Sequence, residues 1–427
     1  MHCCFTLCAL SFTLNIVHQV NFDLSLEEIS KIEGGAGLDL SISNNVVTKC
    51  EFKITEYKRF YTQAIKGKTA LAAPTLLARI CGTCSNAHIL AACKAVESAL
   101  KITPSRQTQI LRRLVMNGLY IRDHALHLYL FVLPDLFNKN SLLDFDEKIP
   151  EEHQWLDDAF SVKDAGNQLS ILVGGRSVHA PYPQVGGFNH FPDSTQIPIV
   201  ITKLQSVRPA VIRLIQIFTD CPWSQNQDVP YLALKNGQVC NSDNVCIRQT
   251  DYRQHLTHRI LTYSQASAYV YQNRPYLTGA LARLNLAKNP PPPFPSHNLY
   301  HNNLAQAVEI LNAIDDSVAV LQSAEFTPES PIKSTLSSGE GSGLIEAPRG
   351  ILYHRLTIKD MMVTDAEILV PTGQNQLCIE NDIKNLVNNH LHGVLNKNTL
   401  RHEIEVLIRA YDPCMSCASH FLKIKWA

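Results

Sequence analysis

The sequence predicts a mainly α protein of the α+β kind: a bundle of long buried helices with small β-sheets at its periphery. Three observations carry this. Apolar residues recur at helical spacing over residues 86–100, 106–133, 196–218 and 299–325. Strand-like stretches are short and confined to residues 20–60, 228–248 and 344–370. Hydrophobic residues make up 45% of the 427 positions and charged ones only 18%, which supplies enough apolar side chain for a large core.

Taken in order, residues 3–17 (CCFTLCALSFTLNIV) are apolar and uncharged. They fall short of the roughly 20 residues a membrane-spanning helix needs. No Lys or Arg precedes them, so the basic start of a signal peptide is missing. Thr6, Thr13 and Ile16 favour a strand. Residues 1–20 are read as an apolar segment of unassigned role, whether a buried strand, a segment covered by a partner or a mis-assigned start. Residues 21–427 are read as a single domain.

Leu38 to Ile42 and Cys50 to Ile54 alternate apolar with polar residues, and Asn44-Asn45 suits the turn of a hairpin. Between the first strands lies Lys31-Ile32-Glu33-Gly34-Gly35, where glycine lets backbone approach something closely. A helix over 86–100 follows. A longer one over 106–133 is expected to stop at Pro134, and Ile110, Leu114, Ile121, Leu128 and Phe131 place apolar groups on more than one of its faces. Residues 135–190 read as irregular, with the loops Gly174-Gly175-Arg176-Ser177-Val178-His179 and Val185-Gly186-Gly187. After the helix at 196–218, Asn236-Gly237 marks a second hairpin. The run NPPPPFP at 289–295 reads as a polyproline connector on the surface. A helix over 299–325, strands around Glu346-Ala347-Pro348-Arg349-Gly350 and a last helix near 398–410 complete the chain. It contains no internal repeat.

Thirty-eight basic residues balance thirty-eight acidic ones, which leaves no electrostatic footprint for nucleic acid. Thirteen cysteines are too few and too scattered for a disulfide-stapled secreted domain, so a reducing compartment with some metal-bound thiolates is expected.

Two cysteine pairs carry the chemistry. Cys81-Gly82-Thr83-Cys84 is followed by His88, and Cys414-Met415-Ser416-Cys417 by His420. A C-x-x-C sets two thiols close together, a bidentate clamp for a soft or borderline metal. One pair alone could be a redox dithiol, half of a zinc site or chance. Zinc ribbons place their pairs close in sequence, whereas these lie at opposite ends of the chain. A metal site shared between the ends is the favoured reading, with structural zinc as the main alternative. Arg79 before one pair and Asp412-Pro413 before the other put ionisable groups beside the thiols, which a structural site does not need.

At these residues the sequence resembles the large, catalytic subunit of nickel–iron hydrogenases. RICGTC with His88 matches the N-terminal R-x-C-G-x-C-x-x-x-H of that family, and DPCMSCASH its C-terminal D-P-C-x-x-C-x-x-H. KIEGG, GGRSVH, the GALARLN run at 279–285 and EAPRG followed by His354 agree in order, so the resemblance covers residues 24–420. It implies that Cys81, Cys84, Cys414 and Cys417 bind nickel. Cys84 and Cys417 would bridge to an iron carrying carbon monoxide and cyanide, and dihydrogen would be split heterolytically. Arg349 matches the arginine suspended over the metals, with Asp123 and Asp412 helping to hold it. Glu33 matches the glutamate that relays a proton from a nickel thiolate. Pro371 and Thr372 match the stretch lining the diatomic ligands, and His88 the histidine that tunes a bridging sulfur.

The resemblance also implies an iron–sulfur small subunit as partner, since this chain has no second cysteine cluster to hold an iron–sulfur centre. Maturation factors and further diaphorase or reductase subunits belong to the same expectation. The IRAYDPCMSC stretch leans towards the soluble cytoplasmic groups. A hydrogen sensor with slow turnover is the alternative from another class. The metal-free quinone-site subunit of respiratory complex I is disfavoured by the four cysteines.

Bland readings stand beside these. Glu33 alone could be a solvated loop residue, and Arg349 could pair with a surface carboxylate. His124 and His127 read as satisfied core histidines. Cys3, Cys4, Cys8, Cys50, Cys93, Cys221 and Cys378 read as small buried hydrophobes. Cys240 and Cys246 could meet across a hairpin turn.

The chain departs from the family in three places. Thr62 stands where many relatives have a glutamate that helps the C-terminal histidine bind magnesium. His420 is present, and Glu56 is the nearest carboxylate that could substitute. The usual EGH reads Glu33-Gly34-Gly35. Only residues 421–427 follow His420, which is expected to be the mature C-terminus after their removal.

Overall fold

A computed structural model describes residues 21–57, 60–391 and 396–419. The expectations for residues 1–20, for His420 and for residues 421–427 fall outside these.

Strands β1 (Phe22–Leu26), β2 (Ala36–Ser43) and β3 (Val46–Ile54) form an antiparallel sheet in that order. Asn44 and Asn45 turn between the last two with φ of 51° and 59°, a conformation asparagine tolerates better than most residues. Helix α1 (Ser85–Leu100) follows, buried on nearly all sides, and then α2 (Arg106–Ala125), whose Ser105 Oγ caps it by accepting from Thr108 N at 3.0 Å.

Here the sequence expectation needs its first correction. The helix does not stop at Pro134. It widens into a π-helical segment over Leu126–Val132 and continues as Leu133–Leu136. Pro134 then sits in the first turn of a new segment, where its missing N–H costs little.

The second correction is larger. Residues 135–190 are not irregular throughout, because Pro150–Gly174 form α3, 25 residues long. Proline at its start, Glu151 and Glu152 in its first turn and Gly175 beyond its end at φ +84° are all ordinary helix signals. Its buried stripe includes Ala159, Ala165 and Gly166, small residues that give weak periodicity.

Helix α4 (Ile197–Thr219) is as expected, and so is the hairpin of β4 (Leu232–Lys235) and β5 (Gln238–Asn241), which turns at Asn236-Gly237. A third strand, β6 (Cys246–Arg248), pairs with β5, and a disulfide joins Cys240 to Cys246 across the two. Two-stranded pairs also form at Pro183–Gln184 with Gly187–Phe188 and at Leu256–Ile260 with Ser267–Tyr271. Residues 289–295 lie at the surface as expected but turn at Pro292-Pro293 instead of extending, and Phe294 is buried among the core side chains. Helix α5 (His301–Ser323) packs against α2 and α4, and α3 completes the helix bundle by packing against the same two. The antiparallel sheet of β7 (Gly339–Ala347), β8 (Gly350–Lys359) and β9 (Met362–Leu369) leads into α6 (Pro371–His390), a helix the sequence reading missed. Helix α7 (Lys397–Ala410) and the short α8 (Met415–Ala418) end the described chain. The mainly α bundle with small edge sheets is borne out, and one apolar cluster runs from Leu26 to Ala418.

One contact within this core positions the site. Gly339, Gly341 and Gly343 lie on one face of β7 against α1. A Cβ on Gly341 would come within 2.1 Å of Ala99 N, and one on Gly343 within 2.2 Å of Ala91 O. The period-two glycines let the sheet lie directly on the helix. Helix α1 starts one residue after Cys84, and the β7–β8 turn carries Arg349, so this packing sets the distance between them. Gly341→Val is expected to force strand and helix apart and to cost about 1–3 kcal/mol or more. An unchanged urea midpoint for the purified variant would contradict the close packing.

Candidate metal centre

Cys81 leaves a short 3₁₀ turn in extended conformation, and Cys84 caps the N-terminus of α1. The Cys84 side chain makes no capping hydrogen bond there, and Cys81 together with burial pushes its thiol up to about 11. At the other end of the chain α7 finishes at Ala410. Asp412 takes φ 50° with its N–H bonded to Arg409 O at 2.8 Å, a left-handed reversal that satisfies a terminal carbonyl. Pro413 prevents the helix from resuming. Reversed in this way, Cys414 runs parallel to Glu33, and Met415 N donates to Glu33 O at 2.8 Å.

The two pairs meet. Cys81 and Cys414 Sγ are 3.5 Å apart, Cys84 and Cys417 Sγ 3.0 Å, and Cys414 and Cys417 Sγ 3.1 Å. All four sulfurs lie within 4.8 Å of one another and all are buried. Among the described residues this is the one group of three or more His, Cys, Asp or Glu side chains able to share a metal ion. Hydrogen bonds from Cys414, Cys417 and Cys84 hold the Cys81 thiol well below its ordinary range, while burial pushes Cys414 and Cys417 well above theirs. The cluster by itself thus favours one thiolate among thiols. Ionising the others at these separations needs a cation in their midst, as expected of a metal site whose ligands lose protons on binding.

Arg349 reaches the cluster from the β7–β8 turn. The turn depends on Gly350, whose φ is +130° and whose added Cβ would lie 2.6 Å from Thr278 Oγ1. Arg349 is buried and clamped by two carboxylates. Its Nη1 donates to Asp123 Oδ2 at 2.6 Å and its Nε to Asp412 Oδ1 at 3.1 Å. The surface pairing considered for Arg349 is excluded. Asp412 is held in turn by Gln306 Nε2 at 2.9 Å, and Gln306 by His127 Nδ1 at 2.6 Å. Gln306 was not legible, because a lone glutamine on a buried helix carries no motif. His127 is satisfied as expected, by Gln306 and Arg409 O, whereas His124 bonds Glu309 Oε2 through Nε2 at 3.0 Å and leaves its buried Nδ1 without a hydrogen-bond partner.

Glu33 is no solvated loop residue. Its Oε2 lies 3.0 Å from Cys414 Sγ and accepts from Ser416 N at 3.2 Å. Burial and the neighbouring Cys81 thiolate push its carboxyl pKa up. Gly34, at φ +85°, has no room for a side chain, since a Cβ would meet Met415 Cβ and Glu56 Oε2 at 2.9 Å. Glu56 Oε2 accepts from Gly35 N at 3.0 Å, which ties it to this loop, and Thr62 is buried on a short helix. His88 Nε2 approaches Cys417 Sγ at 3.5 Å. Thr372 Oγ1 accepts from Cys414 N at 2.9 Å, one residue after Pro371 opens α6. Arg79 is exposed and takes no part, while Arg122, overlooked in the sequence, donates to Thr83 O inside the first cysteine loop. Cys50, Cys93 and Cys378 are buried as small hydrophobes.

Beside the sulfurs lies a small enclosed cavity. Cys84, Cys414 and Cys417 wall one side, with Arg349, Pro371 and Thr372 among the residues facing them. The family model described as nickel-dependent hydrogenase matches residues 59–155 and 298–420, which include both cysteine pairs. The chain belongs to the nickel-dependent hydrogenase family. As a hydrogenase it is an oxidoreductase acting on dihydrogen. It is 29% identical to sulfhydrogenase 2 subunit alpha of Pyrococcus furiosus over 94% of this chain and 100% of the relative. It is 24% identical to the NAD-reducing hydrogenase HoxS subunit beta of Cupriavidus necator over 93% of this chain and 94% of that one. In fold it superposes on an NAD+-reducing [NiFe]-hydrogenase with a TM-score of 0.83, at 21% identity and covering 93% and 99% of the two chains. A [NiFeSe]-hydrogenase of Dm. baculatum gives 0.75 at 19% identity, covering 94% and 100%. No helix among the described residues of this hydrogenase is long and apolar enough to cross a membrane.

Proposed function

We propose that the chain is the catalytic subunit of a nickel–iron hydrogenase, built as one unit over residues 21–427. In this reading Cys81, Cys84, Cys414 and Cys417 hold nickel, and Cys84 and Cys417 also face an iron carrying carbon monoxide and cyanide. The observation that carries the reading is the convergence of four buried sulfurs, all within 4.8 Å, from opposite ends of the sequence. The residues fit such a centre. The donors are soft, and Cys84, Cys414 and Cys417 line the cavity beside them.

When bound, the nickel–iron centre supplies a Lewis-acidic, sulfur-rich site at which dihydrogen is cleaved heterolytically. The chain's own residues do the rest. Asp123 and Asp412 fix the guanidinium of Arg349 so that it faces the cavity. Glu33 Oε2, 3.0 Å from Cys414 Sγ, is placed to take a proton from that sulfur, and a carboxyl with its pKa raised by burial suits transfer near neutral pH. The Thr372 hydroxyl accepts from Cys414 N and keeps its own proton to donate to a cyanide.

Electrons would leave through an iron–sulfur small subunit, making the working form a heterodimer or larger complex in the cytoplasm, with diaphorase or reductase subunits as further members. The names of the relatives, each a subunit of a hydrogenase, support a working form of more than one subunit. Magnesium held in part by His420 belongs to the same proposal. Metal analysis of the purified complex is expected to find nickel stoichiometric with this chain. Zinc in its place would overturn the reading in favour of a structural site.

A further inference from the structure

His354 belongs to a sequence stretch singled out above, and the roles proposed so far leave it unused. It lies on β8, paired across the strands with Gly343 of β7. The glycine face that lets this sheet lie on α1 therefore also brings His354 against the first turn of that helix, where His88 sits. His88 Nδ1 and His354 Nε2 are 3.1 Å apart, with both rings fully buried. The other nitrogen of His88 is 3.5 Å from Cys417 Sγ.

The direction of these contacts follows from what each atom can do. A metal-bound thiolate accepts hydrogen bonds and donates none. The contact with Cys417 is therefore made by His88 Nε2–H. A neutral His88 then has a bare Nδ1, which must receive a proton from outside. With both rings shut off from water, the site favours the uncharged form. His354 Nε2 is the group at hydrogen-bond distance, so it carries the hydrogen and donates.

We propose that His354 is a positioning residue for the metal centre, locking His88 in the tautomer and ring orientation that donate a hydrogen bond to Cys417. Nothing in this arrangement requires either ring to change protonation. Its effect is electronic: a hydrogen bond withdraws electron density from a thiolate that we place between nickel and iron. The inference rests on the nickel–iron reading, both for the metal-bound thiolate at Cys417 that sets the tautomer and for this electronic effect.

Two measurements on the purified complex test it. Nitrogen-15 NMR with labelled histidine is expected to show His88 protonated at Nε2 and bare at Nδ1 in the wild-type protein. The opposite tautomer would overturn the proposal without any substitution. In the infrared, His354→Leu is expected to move the carbon monoxide band to lower wavenumber, because the sulfur regains the density the hydrogen bond withdrew. His354→Gln, which keeps an N–H donor, is expected to restore the wild-type position. Wild-type band positions in both variants would overturn the proposal, as would equal shifts in both, which mark a merely structural role. If His354→Leu does not assemble a centre, the tautomer and the glutamine variant decide. Absence of carbonyl and cyanide bands from the wild type would instead sink the nickel–iron reading.

Discussion

Cys417→Ser is expected to abolish the metal centre and to bring hydrogen-dependent dye reduction down to background. Cys417 touches a sulfur of the N-terminal pair, the other sulfur of its own pair and His88. It lies 3.0 Å from Cys84 Sγ, 3.1 Å from Cys414 Sγ and 3.5 Å from His88 Nε2. A serine hydroxyl is harder and far less acidic than a thiol, so it neither bridges two soft metals nor ionises to balance their charge. The substitution is nearly isosteric and the apo-chain should still fold. Wild-type carbonyl and cyanide bands in this variant would refute the ligand assignment.

Glu33→Gln is expected to slow exchange of deuterium gas with water by about 10²–10⁴-fold, the usual contribution of a positioned acid–base group. Glutamine fills the same volume and its amide oxygen still accepts from Ser416 N, so the loop and the sulfur cluster stay in place. It cannot take up a proton from Cys414. Unchanged exchange with an intact centre would remove Glu33 from the proton path. Loss of the centre in the same variant would mean that its carboxylate is structural.

The metal ligands were the most legible part of the sequence because their chemistry is local. Each C-x-x-C declares a clamp on its own, and the structure had only to bring the two together. Arg349, Asp123 and Asp412 became legible through the family motifs, since their clamp joins three elements far apart in sequence. Arg122 and Gln306 escaped both routes. Each holds its neighbour through one hydrogen bond on a buried helix face, and no spacing advertises that.

The fold shows the same division. Strong amphipathic stretches such as Ile197–Thr219 and paired turn residues such as Asn44-Asn45 were read correctly. Helix Pro150–Gly174 was missed because alanine and glycine, which let it pack closely against Arg106–Ala125, also blur its apolar stripe. Pro134 was misread as a stop because a π-helical segment shifts the helix register just before it.

The infrared spectrum of the purified complex tests the central claim most directly, because only iron with bound carbon monoxide and cyanide absorbs in their stretching region. The account predicts one carbonyl band and a pair of cyanide bands for each state of the centre, responding to hydrogen and lost in Cys417→Ser. A complex loaded with metal but lacking these bands would contradict it.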